Sequence, residues 1–281
     1  MATQAIHGVE LEIQQIKPVG HDPRRAPLVF LHEGLGSVAM WRDWPAALCQ
    51  ASGRAGIVYS RRGYGQSSPV PDVRGPSRMA GGQRVGRLLP DYLHVEAFEV
   101  LPALLEALDV TSPVLVGHSD GGSIALLHAS RFAVAGCVVM APHVMVEDLS
   151  LASIAQAKTA YKSGDLRARL MRYHADVDGA FWQWNDVWLS DGFRSFDIRA
   201  ECRRLTAPVL AIQGLDDPYG SMAQIDALIA PPSESFDKST ELFTSINRFV
   251  LYKIEQCGHS PHRDQTALTT ARVLEFLADV A

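Results

Sequence analysis

Four cysteines, Cys49, Cys137, Cys202 and Cys257, are all that the 281-residue chain carries, and no two of them stand at a paired spacing. That scarcity excludes a disulfide framework or a zinc-binding Cys set and suits reduced thiols in a cytoplasmic protein. Long apolar runs are missing too: no stretch approaches the roughly 20 residues needed to span a bilayer. The amino terminus, MATQAIHGVELEIQQ, lacks the basic start and apolar run of a secretory leader. Nor is charge of one sign concentrated. Lys and Arg number 26 against 31 Asp and Glu, a formal net charge of -5 scattered along the chain, so neither a nucleic-acid stripe nor an anionic-membrane patch is implied. Arg61 and Arg62, and the loose group Arg74, Arg78, Arg84 and Arg87, read as solvated loop charges. There is no glycine fingerprint of a dinucleotide site, no phosphate loop, and no His, Cys or carboxylate cluster with metal-ligand spacing. No cofactor and no metal are therefore expected, and the expected partner is a small-molecule substrate, with no nucleic acid and no membrane.

What is present is apolar and periodic. Hydrophobic residues make up 47% of the chain, enough to bury a sizeable core. GVELEIQQI, near the start, alternates apolar and polar residues and predicts an antiparallel strand near a sheet edge. Short continuous apolar runs follow at 27–32, 56–60, 113–117, 137–142, 208–214 and 248–255. Continuous runs imply burial on both faces, as in a parallel sheet. Helical patterns alternate with them, the clearest at 91–108, where Leu93, Ala97, Leu101, Leu104 and Leu108 share a face and Asp91 is placed to cap the start. This rhythm predicts a doubly wound, mostly parallel α/β sheet. Residues 72–90, rich in Gly, Arg and Pro, read as an exposed loop. Residues 143–206 show helical patterns and no strand signal, and include Trp182, Trp184 and Trp188. They divide the chain into a core of 1–142 and 207–281 and a helical insertion of 143–206 that would form a lid; the tryptophans suit either the lid's own core or a substrate wall.

The chemistry starts at Gly117-His118-Ser119-Asp120-Gly121. A Gly-x-Ser-x-Gly pattern between a predicted strand (PVLV) and a predicted helix (GGSIALLHASRF) describes a sharp turn that lifts a serine hydroxyl off the sheet's carboxyl edge. Side chains on the flanking glycines would collide with the neighbouring backbone. A serine hydroxyl needs a base, and the base needs an orienting group. EQCGHSPHRDQ follows the last apolar run and places His259 in a loop at a strand's carboxyl end, whereas His262, beyond a Pro, reads as a cap or surface residue. VLAIQGLDDPYG supplies Asp217, favoured over Asp216, which reads as a turn residue. Oxyanion donors would be the backbone amides of Asp120 and of Gly34 or Leu35 in the HEGLGS loop.

In this order the motifs LHEGLG, SRRGYGQS, GHSDGG, GLDDPYG and CGHSPH resemble those of the α/β-hydrolase-fold serine hydrolases, from about residue 25 to the end. The resemblance implies an eight-stranded sheet, a helical cap after the sixth strand and an acyl-enzyme mechanism, with Ser119 as nucleophile, His259 as base and Asp217 as orienting acid. Two positions depart from the family. Glu33 stands where many relatives carry Gly, and Asp120 puts a carboxylate next to the nucleophile, where it would oppose catalysis unless its side chain turns away into hydrogen bonds. Ser119 occupies the place of the carboxylate nucleophile of dehalogenases and epoxide hydrolases, which argues against those reactions. The expectation is a carboxylic ester hydrolase for a small apolar or aromatic substrate, whose pocket takes in Glu33, Tyr64, His143, Trp182, Trp184 and Trp188. Lactones, thioesters and carbon–carbon bonds of diketone-like compounds are open to the same trio, and a non-catalytic ligand-binding member of the fold is the alternative from another class.

Overall fold

The computed structural model describes residues 2–229 and 248–280. A single eight-stranded sheet organises the chain, in the order β1 (Ala2–Ile6), β2 (Val9–Ile16), β4 (Gly56–Tyr59), β3 (Leu28–Leu31), β7 (Val114–His118), β8 (Gly136–Met140), β9 (Val209–Gly214) and β10 (Phe249–Ile254). From β4 to β10 every pairing is parallel, while β2 runs antiparallel to both its neighbours. The parallel strands alternate side chains between two apolar layers: Val29, Leu31, Leu115, Val139 and Ala211 enter one, and Leu28, Phe30, Val116, Val138 and Ile212 the other. Both faces are covered, so every inner strand is a continuous apolar run.

One layer packs against α2 (Tyr92–Val95), a π-helical turn (Glu96–Val100), α3 (Leu101–Ala107) and α4 (Asp120–Ala129); the other packs against α1 (Trp44–Ser52) and the closing helix Thr266–Ala278. Leu93, Ala97, Leu101 and Leu104 are fully buried, as their shared face requires. Asp91 does not cap that helix; its carboxylate accepts from Arg84 at 3.1 Å instead. Between β8 and β9 the chain forms α5 (Asp148–Ser163), α6 (Leu166–Leu170), α7 (Val177–Trp188) and α8 (Arg199–Cys202), with one isolated bridge, Met145 to Asp197. No helix among the described residues is long and apolar enough to cross a membrane.

Two expectations are corrected, and one is completed by a strand the sequence did not announce. Residues 72–90 are not simply a loop: β5 (Arg78–Ala80) and β6 (Gln83–Val85) form a hairpin around Gly81 and Gly82. The strand expected at GVELEIQQI is β2, antiparallel and second from the sheet edge; the edge itself is β1, which carries no strong strand pattern and is exposed along most of its length. Arg61 is buried at 4% exposure and Arg62 is half-buried, so neither is a solvated loop charge.

At the centre, β7 turns into α4 within one residue. Ser119 has φ 54° and ψ -119°, a backbone conformation that disfavours a residue with a Cβ. The reversal presses backbone against backbone on both sides. A Cβ on Gly117 would lie 2.2 Å from the Gly121 carbonyl oxygen, and one on Gly121 would lie 2.0 Å from that of Leu31 in β3. Neither obstacle is a flexible side chain, so Gly121→Ala is expected to lower stability by about 3 kcal/mol, with roughly 2–4 °C of melting temperature lost per kcal/mol. Thermal unfolding followed by circular dichroism checks this, and an unchanged midpoint would remove the steric argument.

Candidate active site

Three loops at the carboxyl ends of the sheet converge on Ser119. Ser119 Oγ lies 2.9 Å from His259 Nε2, and His259 Nδ1 lies 2.9 and 2.8 Å from the two carboxylate oxygens of Asp217. A carboxylate only accepts, so Nδ1 carries the proton and Nε2 is free to accept from the serine hydroxyl. Asp217 is itself held, its Oδ1 by the Tyr219 amide (2.7 Å) and its Oδ2 by Gln213 Nε2 (2.7 Å). Burial works to raise its pKa, but the hydrogen bond and charge of His259 and the Tyr219 amide bring it below the ordinary carboxylate value. Asp216, next to it, is exposed and only donates its amide to the Cys257 carbonyl. His262 is buried among Trp41, Trp44 and His118, with ring centroids 4.9–5.3 Å apart, and is neither a cap nor a surface residue.

Asp120 is fully buried and turned away from the hydroxyl. Its Oδ2 accepts from Tyr92 Oη at 2.7 Å and lies 3.5 Å from Arg61 Nη1. Its amide, first in α4, has no acceptor inside the helix. Gly34 and Leu35 sit in a turn closed by the Gly36 amide on the Glu33 carbonyl (3.0 Å), and the Leu35 carbonyl accepts from His174 Nε2 (3.0 Å). His32 braces this turn: Nδ1 donates to the Glu33 carbonyl (2.7 Å) and Nε2 accepts the Arg61 amide (3.0 Å).

The Glu33 carboxylate points to His118, 3.5 Å from Nδ1, and to Arg263, 3.5 Å from Nη2. Burial opposes its charge, but His118 and Arg263 hold its pKa well below the ordinary range. On its other side His118 Nε2 donates to the His259 carbonyl at 2.7 Å, so Glu33 connects through one ring to the loop bearing His259.

Among the aromatic candidates, Trp184 lies over the HEGLGS loop so closely that a Cβ on Gly34 would be 2.1 Å from its Nε1. Trp188 packs on His143 with ring centroids 4.9 Å apart, and His143 lies 5.8 Å from the His259 ring. Trp182 faces elsewhere: Arg74 stacks on it at 4.0 Å, with Lys158 and Lys162 nearby, and it takes no part in these contacts. Helical spacing separates them, since 184 and 188 share a face and 182 does not. Tyr64 is buried beside His32 and His174, with Arg61 over its ring. Sequence reasoning missed Gln213, a lone amide in the apolar strand VLAIQG, and Arg61 and Tyr92, whose partner Asp120 is distant in sequence.

Six histidines, some at this end of the sheet and others in its flanking helices, are made hard to protonate by desolvation. His143 is pushed down to about 3, His32 and His262 fall well below the ordinary value of 6.5, and His94, His128 and His174 are lowered as well. Below about pH 6.5 the unfolded chain therefore binds protons that the folded chain refuses, and stability falls as pH falls towards the folded values. Calorimetry across pH 7 to 4.5 should show a melting temperature that drops on acidification, with roughly two or more protons taken up on unfolding. A flat profile would mean that these rings are solvated.

A family model described as "Alpha/beta hydrolase family" matches residues 28–272. No curated protein matches the chain significantly. Solved structures similar to it include a carboxylesterase study structure from the thaumarchaeon Nitrososphaera gargenis, at 18% identity over 99% of this chain and 97% of that one, with a TM-score of 0.69. A thermophilic esterase from Thermogutta terrifontis is similar at 16% identity over 99% and 98% of the two chains, with a TM-score of 0.70. The enol-lactonase from Burkholderia xenovorans is similar at 17% identity over 99% and 100%, with a TM-score of 0.66.

Proposed function

The chain belongs to the alpha/beta hydrolase family, and from that premise we propose that it is a serine hydrolase cleaving carboxylic esters of small apolar or aromatic acids. The reading rests on one observation, the continuous hydrogen-bonded line from Ser119 Oγ through His259 to Asp217. In the first step His259 Nε2 takes the Ser119 proton as Oγ attacks the acyl carbon, and Asp217 steadies the imidazolium that forms. The oxyanion is held by the Asp120 amide and by an amide of Gly34 or Leu35, each such donor being worth a few kcal/mol. His259 then passes its proton to the leaving alcohol. Water then attacks the acyl carbon, giving a proton to the same nitrogen, and as the acyl–Oγ bond breaks His259 returns that proton to Ser119 Oγ and the acid is released.

The helices of 143–206 are read as a cap over this site. Trp184 against the HEGLGS loop and Trp188 against His143 support an apolar wall for the acyl or alcohol group. The side chain of Asp120 weighs in favour of catalysis rather than against it, because Tyr92 and Arg61 take up its charge away from the oxyanion.

The test is turnover of p-nitrophenyl acetate and butyrate by wild type, Ser119→Ala and Asp217→Asn. Ser119→Ala is expected to lose roughly a thousandfold or more in kcat, and Asp217→Asn roughly ten-thousandfold, with KM changed far less. A wild type that neither turns over these esters nor reacts with a fluorophosphonate would favour a binding protein. A small γ-lactone and an acyl thioester in the same panel separate the competing hydrolyses.

A further inference from the structure

A cavity of about 430 Å³ lies away from the Ser119 hydroxyl, between the β1–β2 edge, the β5–β6 hairpin and the π-helical turn at Glu96–Val100. None of Ser119, Asp217 or His259 lines it. The volume falls in the range of small-molecule sites. Ile6, Val9, Leu11, Val70 and Leu88 make most of its wall apolar.

Its charged lining residues are Arg61, Arg62, Arg84, Glu96 and Glu99. Most of these are already answered. Arg61 lies 3.5 Å from Asp120, Glu96 accepts from Tyr59 at 2.7 Å, Arg84 pairs with Asp91 at 3.1 Å, and Glu99 is exposed. Arg62 is different. Its Nη1 donates to the Arg84 carbonyl oxygen at 2.8 Å, its Nε is buried with no hydrogen-bond partner, and it forms no ion pair with a carboxylate among the described residues. Beside it Gln183, 2% exposed, has an amide oxygen that is also buried without a partner. Burial works against the Arg62 charge. A half-desolvated guanidinium at an apolar cavity calls for an incoming anion, because a cation left without one is costly.

We propose that this cavity binds a monocarboxylate with an apolar tail, its headgroup on Arg62 and its tail along Val9, Leu11 and Leu88. Guanidinium takes a carboxylate through charge-assisted N–H hydrogen bonds, and Arg62 Nη2, unlike the enclosed Nε, is not shut off and makes no hydrogen bond within the described residues. Arg61 and Tyr92, which hold Asp120 directly after Ser119, are walls of the same cavity, so a bound acid would lie against the network behind the nucleophile. The site does not depend on what Ser119 does.

Octanoate is the probe, titrated calorimetrically into the full-length Ser119→Ala protein, with octan-1-ol as the uncharged comparison. Octanoate is expected to bind saturably and at least tenfold more tightly than octan-1-ol. Arg62→Gln and the cavity-filling Leu88→Trp should each weaken octanoate at least tenfold, while Trp184→Ala, altered over the HEGLGS loop, should leave it unchanged. If Arg62→Gln fails to fold, Leu88→Trp carries the test. No octanoate binding, equal affinity for the alcohol, or binding lost with Trp184→Ala but kept with Leu88→Trp would overturn the proposal.

Discussion

The reversal of the chain at Ser119 is the constraint on which the rest depends. A strand can feed a helix across one residue only if that residue accepts a disfavoured backbone and its neighbours give up their side chains, as Gly117 and Gly121 do. Everything else at this end of the sheet is hung from the turn. The Ser119 amide donates to Met140 at the end of β8, Gly121 packs on the Leu31 carbonyl of β3, and His118 donates to the carbonyl of His259. Three separate chain segments are thus registered to within hydrogen-bond tolerance by Ser119 and the residues on either side of it. Preorganisation of this kind spares a site the cost of gathering its groups during reaction.

Charge is arranged around the same turn in two groups, one buried and one partly exposed. Behind it, Asp120 is answered by Tyr92 and Arg61, and Glu96 by Tyr59; in front, Glu33 is answered by His118 and Arg263. A buried carboxylate without partners would cost several kcal/mol, and these partners hold the side chains of Asp120 and Glu33 turned away from Ser119 Oγ. Asp120 gains further from its position, since it begins α4 and the free amides there favour an anion. The two departures from the family pattern, Glu33 and Asp120, therefore each anchor a charged network, with side chains turned away from Ser119 Oγ.

The parallel strands were legible because burial on both faces leaves an unbroken apolar run, and Gly-x-Ser-x-Gly was legible because its glycines answer a local steric need. Choosing Asp217 over Asp216 also drew on local order, the acid nearer Pro218 being the one whose side chain turns inward to His259. What escaped depended on partners far along the chain. Arg61 looks like a solvated charge until Asp120, 59 positions on, is placed against it. The β5–β6 hairpin did have a signal, Gly81-Gly82, whose positive φ values of 57° and 77° suit a two-residue turn, but its strands are three residues long and the composition around them reads as loop. β1 has no inward apolar series to announce it, and its pairing with β2 is what makes it a strand.

α7 gathers the remaining threads. Asp176 caps its start through the Gly179 amide at 2.8 Å, Phe181 stacks on Tyr161 at 3.7 Å, and Asn185 donates to the Ile154 carbonyl at 3.0 Å, so the helix is fixed to α5 on one side. On the other side successive residues meet different parts of the core. Gln183 donates to the Arg62 carbonyl, Trp184 covers Gly34, and Trp188 packs on His143. Because Trp184 fills the space a Cβ on Gly34 would need, the smallness of that residue and the bulk of the tryptophan are two halves of one fit. The helix cannot move relative to the sheet without loosening the HEGLGS turn and the floor beside His259 together. A single helix thus fixes both the Trp188–His143 packing and the backbone turn at Gly34 and Leu35, so a change of side chain at 184 or 188 is felt at that turn and beside His259.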